Sequence, residues 1–299
     1  MTEIRSFHHS AFPPARLRDE RDGTISVCVP ARECAATIAH TVRELVGLVE
    51  EGAIDEVVVV DAASADGTAE LARDAGARVV QEVELLPSFG PVLGKGDAMW
   101  RGLSVLKGDV VCFVDGDSAG FGAHFARGLA GTVACEPGVS FCKAAYRRPF
   151  RVGDVELPDG GGRVSQLTAR PLLTMFYPEL AAIRQPLAGE MAARRELLKR
   201  LPFATGYAVE TAMLIDAYLT VGIDAIAQCD LDERVNPHQS LAALTPMAWA
   251  VLHVVTERLR REGRLSDVHP GALLVPEGDD LVARGFELVE RPPLQSVAT

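Results

Sequence analysis

Two carboxylates separated by one glycine, Asp115-Gly116-Asp117, form the pattern in this chain best suited to binding a metal ion. Carboxylate oxygens are preferred ligands of Mg²⁺ and Mn²⁺, and Gly116 permits a tight turn between them. A cation held there would bridge the phosphates of a nucleotide diphosphate and stabilise the charge that develops as the leaving group departs. An isolated Asp-X-Asp is common by chance. This one directly follows the apolar run Val110–Val114, which predicts a buried strand.

Two glycine-containing segments are candidate anion sites. In Gly94-Lys95-Gly96, Lys95 could contact a phosphate, or the segment could be a loop with a capping glycine and a solvated lysine. Asp159–Ser165 joins a glycine run to Arg163 and Ser165 at the start of a helical pattern. Backbone N–H groups, a guanidinium and a hydroxyl together suit a phosphate or carboxylate. Taken alone, this second segment could also be a linker.

Strand and helix patterns alternate in the first half of the chain, which predicts right-handed βαβ units and a mostly parallel sheet with helices on both faces. The predicted strands are Ile25–Pro30, Glu56–Asp61, Ala77–Gln81 and Asp109–Asp115, and the predicted helices are Ala36–Glu50, Gly67–Ala75 with Asp66 as N-cap, and Gly96–Leu106. Ligands of such α/β sheets bind beyond the carboxyl ends of the strands. The segments Pro30–Glu33, Asp61–Ser64 and Asp115–Asp117 are therefore expected to converge on one nucleotide-binding edge.

Composition excludes several other classes of protein. The 299 residues carry a formal net charge of −11, which argues against a general nucleic-acid binder. No apolar run approaches the roughly 18 residues that a membrane span requires, so no membrane partner is expected. The N-terminus, Met1–Glu20, is not typical of a secretory signal, and the six cysteines lack a CxxC pair. We therefore expect a cytoplasmic protein without a disulfide framework.

Longer segments resemble one family closely. The chain is similar to the retaining glucosyl-3-phosphoglycerate synthases of actinobacteria and to the related mannosyl-3-phosphoglycerate synthases. The resemblance implies a GT-A fold, a nucleoside-diphosphate sugar donor, a small anionic acceptor, a Mg²⁺ or Mn²⁺ cofactor and a homodimer. It covers Val57 to Gln228 in family order, with looser similarity from Ile25 to Leu241, and it is carried by VVVVDAASADGT, GKGDAMWR, FVDGD, YRRPF, GGGRVSQLTARPLL, QPLAGE, LPFATGYAVET and DAIAQ.

By position, the resemblance also implies roles for individual residues. The donor-binding residues would be Pro30, Ala31, Arg32, Glu33, Ser64, Lys95, Asp115, Gly116 and Asp117. The acceptor-binding residues would be Gly162, Arg163, Ser165, Tyr207 and His238. The residues nearest the reaction would be Lys95, Asp117, Glu210 and, through its backbone, Leu187. Asp117 would be a metal ligand.

Two departures from the family pattern bear on the substrates. Relatives have a metal-binding His followed two residues later by an Asn, whereas this chain has Asn236 and then His238. We expect His238 to be the second metal ligand, with Asn236 as the alternative, because His is the better ligand for Mn²⁺. The nucleoside loop reads Arg32-Glu33-Cys34 where relatives have Leu-Asp-Glu, so a guanine donor is conceivable in place of a uracil donor.

The expected organisation is an N-terminal extension (1–22), a nucleotide-sugar-binding half (23–150), an acceptor-binding half (151–262) and a C-terminal appendage (263–299). The leading hypothesis is a metal-dependent retaining glycosyltransferase similar to glucosyl-3-phosphoglycerate synthase. A second is a divergent member in antibiotic biosynthesis that uses another donor, such as a GDP-sugar, and a carboxylated acceptor such as an ergothioneine-like thiol. A third is a non-catalytic nucleotide-sugar binder, against which the joint presence of Lys95, Asp115, Asp117 and Arg163 argues.

Overall fold

The computed structural model describes residues 4–152, 155–157, 161–234, 239–266, 273–277, 280–285 and 287–297. The strands, in chain order, are β1 Arg5–His8, β2 Ile25–Ala31, β3 Glu56–Asp61, β4 Arg78–Gln81, β5 Val110–Phe113, β6 Phe141–Arg147, β7 Phe150–Val152, β8 Val155–Leu157, β9 Met191–Arg194, β10 Phe203–Ala204, β11 Ile226–Glu233, β12 Leu273–Glu277, β13 Asp280–Arg284 and β14 Glu290–Arg291. The α-helices are α1 Pro14–Glu20, α2 Ile38–Glu50, α3 Thr68–Asp74, α4 Lys95–Leu103, α5 His124–Cys135, α6 Arg170–Phe176, α7 Arg195–Arg200, α8 Val209–Val221 and α9 Leu241–Arg261.

The main sheet contains eight strands in the order β1-β11-β6-β9-β5-β2-β3-β4. Every neighbouring pair is parallel except the two pairs that β9 makes, with β5 and β6. The predicted mostly parallel α/β sheet is therefore confirmed. The carboxyl ends of β2, β3, β4, β5, β6 and β11 all reach the same edge, which is where the chemistry-bearing residues lie.

Both faces of the sheet are covered, which explains the nearly continuous apolar runs of β2, β3 and β5. One core cluster packs α2 and α5 against the sheet, and the other packs α4, α8 and α9 against the opposite face. Trp100 of α4 is fully buried, and its indole N–H donates to the Pro292 carbonyl oxygen at 2.8 Å. Burial of apolar side chains on two faces is the main stabilising contribution expected for such a layered fold.

Both terminal segments of the chain contribute strands that pair with the rest of the fold, which the sequence did not indicate. The segment expected to be an N-terminal extension supplies β1, which pairs with β11 at one edge of the sheet. His8 and His9 Nε2 lie 3.1 and 2.7 Å from the carboxylate of Asp232, which fixes the end of β1. From the C-terminal segment, β14 pairs with β10 and Arg291 forms an ion pair with Asp97 of α4 at 2.8 Å.

Helix boundaries differ slightly from the expected ones. Helix α3 begins at Thr68, and Gly67 with φ of 87° occupies the capping position predicted for Asp66. Asp66 still accepts a hydrogen bond from the Thr68 backbone N–H at 3.1 Å. Helix α4 begins one residue earlier than predicted, at Lys95, and ends at Leu103 because the chain turns at Ser104.

Candidate active site

A cleft of about 790 Å³ opens at the carboxyl edge of the sheet and extends to helices α8 and α9. It brings together most of the residues proposed from the sequence. Those that line it are Pro30, Ala31, Arg32, Lys95, Asp115, Gly116, Asp117, Gly162, Arg163, Ser165, Leu187, Tyr207 and Glu210. Segments more than 100 residues apart in the chain thus form one site.

Lys95 and Asp115 form the centre of the deep part of the cleft. The Lys95 ammonium contacts the Asp115 carboxylate and lies 3.1 Å from Glu210 Oε1. Arg234 donates to the other Asp115 oxygen at 2.9 Å. Burial alone would raise the pKa of Asp115, but the two cations outweigh it and hold that pKa well below its usual range. Asp115 is therefore ionised and already paired on both of its oxygens.

Arg234 links this pair to a second buried carboxylate. It forms an ion pair with Glu190, which is fully buried, and Tyr146 donates to Glu190 at 3.1 Å. The sequence analysis did not identify Arg234 or Glu190 as site residues. The signal was present, because Arg234 follows the carboxyl end of β11 and Tyr146 lies in the YRRPF segment.

Asp117 differs sharply from Asp115. Its side chain is 73% exposed, and the Arg234 guanidinium lies 3.9 Å from its Oδ1 atom. Four carboxylates, those of Asp115, Asp117, Glu190 and Glu210, here face the two cations of Lys95 and Arg234. With all of them ionised, this cluster is net negative, so a diphosphate needs additional positive charge to bind beside it. The exposed oxygen ligand and the negative surroundings both fit a hard divalent cation.

A buried lysine donates a hydrogen bond to the turn that contains Leu187. Lys143 of β6 is fully buried, and its ammonium donates to the Ala188 carbonyl oxygen at 2.5 Å. Burial lowers the pKa of Lys143 to about 7. A side chain on Gly189 would overlap both Lys95 and Asp115, so the turn can approach this ion pair only with glycine at that position.

The end of the cleft expected to bind the nucleoside is lined by Pro30, Ala31, Arg32, Cys34 and Glu82. Glu33 and Ser64, which were expected to bind the donor, lie outside the cleft lining. The Glu33 backbone N–H donates to Ser64 Oγ at 2.9 Å, and Glu33 Oε1 accepts from the Ala65 N–H at 2.9 Å. These contacts tie one loop to the next, and the direct role of Glu33 and Ser64 in donor binding stays a prediction.

Glycine has different roles in the two predicted anion segments. Gly162 adopts a left-handed φ of 70°, which turns the backbone into the cleft before Arg163 and Ser165. In Gly94-Lys95-Gly96, by contrast, a Cβ on Gly96 would overlap the Ala204 carbonyl oxygen. Gly96 therefore permits close packing of α4 against β10, while Lys95 is paired with carboxylates and not solvated as a bare loop lysine would be.

The end of the cleft expected to bind the acceptor combines cationic and apolar side chains. Arg148 and Arg163 line it, and Arg163 donates to the Gln239 carbonyl oxygen. Leu244, Met247 and Val251, which lie along one face of α9, form its apolar wall. Tyr207 is 61% exposed at the rim. Asn236 and His238 lie outside the described residues, as do Asp159 and Gly160, so the second metal ligand stays a prediction.

The arrangement defines a class of protein. A mostly parallel α/β sheet with ligand-binding residues at the carboxyl ends of its strands is typical of nucleotide-binding proteins. Residues 26–119 match the model of glycosyl transferase family 2. Among the helices in the described part of the chain, none is both long and apolar enough to cross a bilayer.

Full-length relatives narrow the class to a family. Glucosyl-3-phosphoglycerate synthase from Petrotoga mobilis is 37% identical over 98% of this chain and 94% of its own length. The crystal structure of mannosyl-3-phosphoglycerate synthase from Rubrobacter xylanophilus is 46% identical, with a TM-score of 0.89 over 99% of this chain and 98% of that one. Glucosyl-3-phosphoglycerate synthase from Mycobacterium tuberculosis, solved with Mn²⁺, UDP and glucosyl-3-phosphoglycerate, is 36% identical, with a TM-score of 0.84 over 98% and 99% of the two chains.

The chain belongs to this family of glucosyl- and mannosyl-3-phosphoglycerate synthases. The expected GT-A fold is confirmed, and so is the expectation of a metal-dependent glycosyltransferase. The roles of the individual residues in the cleft stay predictions.

Proposed function

We propose that this protein transfers a hexosyl group from a nucleoside-diphosphate sugar to a hydroxyl group of a small anionic acceptor, with 3-phosphoglycerate as the first candidate. One observation carries the proposal: a single cleft joins Lys95 and the Asp115–Asp117 turn to the segment Gly162–Ser165. The first group suits a diphosphate and the second suits an acidic acceptor. The names of the full-length relatives support the same pairing.

Lys95 and Arg163 would act at opposite ends of the reacting pair. Lys95 stabilises the negative charge that develops on the leaving nucleotide. Arg163 and the neighbouring backbone N–H groups orient the anionic end of the acceptor. A divalent cation held through Asp117 would supply Lewis-acid stabilisation of the diphosphate. His238 or Asn236 would complete that site.

The transfer would retain the α configuration. The acceptor oxygen bonds to the anomeric carbon from the face that the diphosphate leaves, the bond to the diphosphate oxygen breaks, and the acceptor proton passes to the departing phosphate. Glu210 lies 3.1 Å from the Lys95 ammonium, so it is engaged as an ion-pair partner. That engagement supports a route without the covalent carboxylate nucleophile of retaining hydrolases. The Leu187 backbone would position the sugar.

The test is a transfer assay with Mn²⁺, 3-phosphoglycerate, and UDP-glucose, GDP-glucose or GDP-mannose in parallel. We expect nucleotide release that depends on the acceptor, a product with the mass of a hexosyl phosphoglycerate, and an α-anomeric proton signal by NMR. Release that ignores the acceptor, or no release from any donor, would overturn the proposal. Binding of donor without turnover would instead favour the non-catalytic binder.

A second candidate is the divergent family member, which takes a donor such as a GDP-sugar and a different, carboxylated acceptor. The apolar wall of Leu244, Met247 and Val251 favours an acceptor that carries an apolar body beside its carboxylate. 3-Phosphoglycerate has no such part. A carboxylated thiol with an aromatic ring, assayed beside 3-phosphoglycerate, separates the two candidates by their kcat/KM values.

We also propose a homodimer in a reducing compartment such as the cytoplasm. Leu167, Met175 and Leu241 are large apolar side chains, each more than 70% exposed, which supports burial against a second copy. All six cysteines are unpaired, which supports the reducing compartment. Light scattering on the purified chain measures the first of these directly.

A further inference from the structure

The nucleoside end of the cleft contains a buried carboxyl group with an unfilled hydrogen-bonding position. Glu82 directly follows β4, lines the cleft and is only 1% exposed. Within the described part of the chain, its Oε1 atom has no hydrogen-bond partner. Leaving such an oxygen buried and unpaired costs about 1–3 kcal/mol. A ligand that brings N–H donors to this position would remove that cost.

The sheet order places Glu82 on the side where the donor's base must lie. The Asp115–Asp117 turn follows β5, and β2, β3 and β4 continue from β5 to one edge of the sheet. The acceptor segment lies towards the other side, beside Arg148 at the end of β6. A diphosphate at the turn therefore directs its sugar towards Arg163 and its nucleoside towards Arg32, Ala62 and Glu82.

Two N–H donors near Glu82 already hydrogen-bond to another carboxylate, that of Asp61. Gln81 Nε2 and the Ser64 N–H donate to the same oxygen of Asp61, at 3.0 and 3.1 Å. Burial and the charge of Asp97 raise the pKa of Glu82 to about 7, while Arg101, Arg32 and Arg291 oppose that rise. Near neutral pH, Glu82 is therefore divided between its protonated and its ionised form. Two N–H donors from a ligand would shift it to the carboxylate, because hydrogen bonds to the charged form favour that form.

We propose that Glu82 is the residue that selects the donor base, and that it selects guanine over uracil. Guanine presents N1–H and the N2 amino group side by side, and both can donate to one carboxylate. Uracil presents a single N–H between two carbonyl oxygens, and these oxygens repel a carboxylate. The assignment rests on the proposed function, because it requires that the cleft bind a nucleoside diphosphate.

The substitution Glu82→Gln tests this selection without changing side-chain size. An amide offers one acceptor and one donor, which match the N–H and carbonyl edge of uracil, but it can no longer accept from both N1–H and the N2 amino group of guanine. We expect the unchanged protein to bind GDP at least about tenfold more tightly than UDP in the presence of Mn²⁺, measured by calorimetry. In the variant, this affinity ratio should fall by about tenfold or more, the size expected for a hydrogen-bonded charged group. The matched control is Glu84→Gln, an exposed acid on the same turn, which should leave the ratio unchanged.

The ratio of affinities separates selection from general damage, because instability of the variant weakens both nucleotides together. Equal or tighter binding of UDP by the unchanged protein would overturn the assignment, as would an unchanged ratio in Glu82→Gln. In either case, acceptor-dependent transfer would still support the proposed function. Failure of both nucleotides to bind the unchanged protein would overturn the proposed function and this assignment with it.

Discussion

The deep wall of the cleft and its rim both contain charged side chains, but those in the wall are paired and those at the rim are exposed to solvent. In the wall, which consists of Lys95, Asp115, Glu190, Glu210 and Arg234, every charge contacts an opposite charge. At the rim, the Asp117 side chain is 73% exposed and Tyr207 is 61% exposed. The ion pairs therefore hold the wall residues in place without a ligand. The rim residues are exposed, so a ligand can contact them directly.

The difference in pairing between wall and rim predicts which substitutions will reduce stability as well as activity. Removing one member of a buried ion pair leaves its partner charged and desolvated, at a cost of about 3–5 kcal/mol. Removing an exposed charge costs about 0.5 kcal/mol or less. Substitutions in the wall should thus affect folding and activity together, and substitutions at the rim should affect activity alone.

The largest effect is expected at the rim, from Asp117→Asn. The amide keeps one neutral oxygen and loses the charge that would hold the divalent cation, so turnover should fall by about 10³-fold. The Mn²⁺ concentration for half-maximal turnover should rise, and the free energy of unfolding should stay within about 0.5 kcal/mol of the parent. Asp74→Asn, an exposed acid at the end of α3, is the control. Full activity in Asp117→Asn would show that the cation, if bound, uses other ligands.

A comparison of Asp115 with Asp117 also shows how far the sequence leads. The Asp-Gly-Asp spacing and the preceding strand predicted a site at this edge, and the structure places both residues in the cleft. Nothing local distinguishes the two carboxylates, because the partners of Asp115 are Lys95, which lies 20 residues earlier in the chain, and Arg234, which lies 119 residues later. Spacing predicts which residues reach the edge of the sheet, but pairing depends on tertiary contacts.

The same reasoning explains other differences between expectation and structure. β1 has a short mixed sequence, Arg-Ser-Phe-His, without the apolar run that marked β3 or β5, and it is a strand because it pairs with β11. Gly96 belongs to a segment predicted as a candidate anion site, yet the group it accommodates is the Ala204 carbonyl oxygen. Glu82 lacks any motif. Its interest comes only from its burial and its unpaired oxygen.

The second prediction tests the wall through Asp115→Asn. The amide leaves Lys95 and Arg234 without a charged partner on that side, so the free energy of unfolding in urea should fall by about 3 kcal/mol. Activity should fall as well, because the Lys95 ammonium loses the group that orients it. The comparison with Asp117→Asn supplies the control, since the two residues are two positions apart. Equal stability of the two variants would contradict the distinction between wall and rim.

The third prediction concerns Lys143, which lies directly beneath the wall and whose effect on stability depends on pH. Burial lowers its pKa to about 7, whereas an unfolded chain has a lysine pKa of roughly 10.4. The folded protein therefore carries the full cost of a buried ammonium below about pH 7. As the pH rises from there towards 10, the folded state loses this proton while the unfolded state keeps it. That cost should then decrease by up to about 1.4 kcal/mol per pH unit.

Lys143→Met isolates this contribution because methionine fills much of the same space and never carries a charge. The stability gained by the variant over the parent should be greatest near pH 6 and should shrink steadily between pH 7 and pH 9.5, measured by urea unfolding. Its loss of the hydrogen bond to Ala188 subtracts a constant that does not depend on pH. Lys107→Met, at an exposed position, should show no such slope. If the stability difference between Lys143→Met and the parent does not change across this pH range, the Lys143 ammonium is stabilised by the charged groups of the wall. Lys143 would then belong to the wall itself.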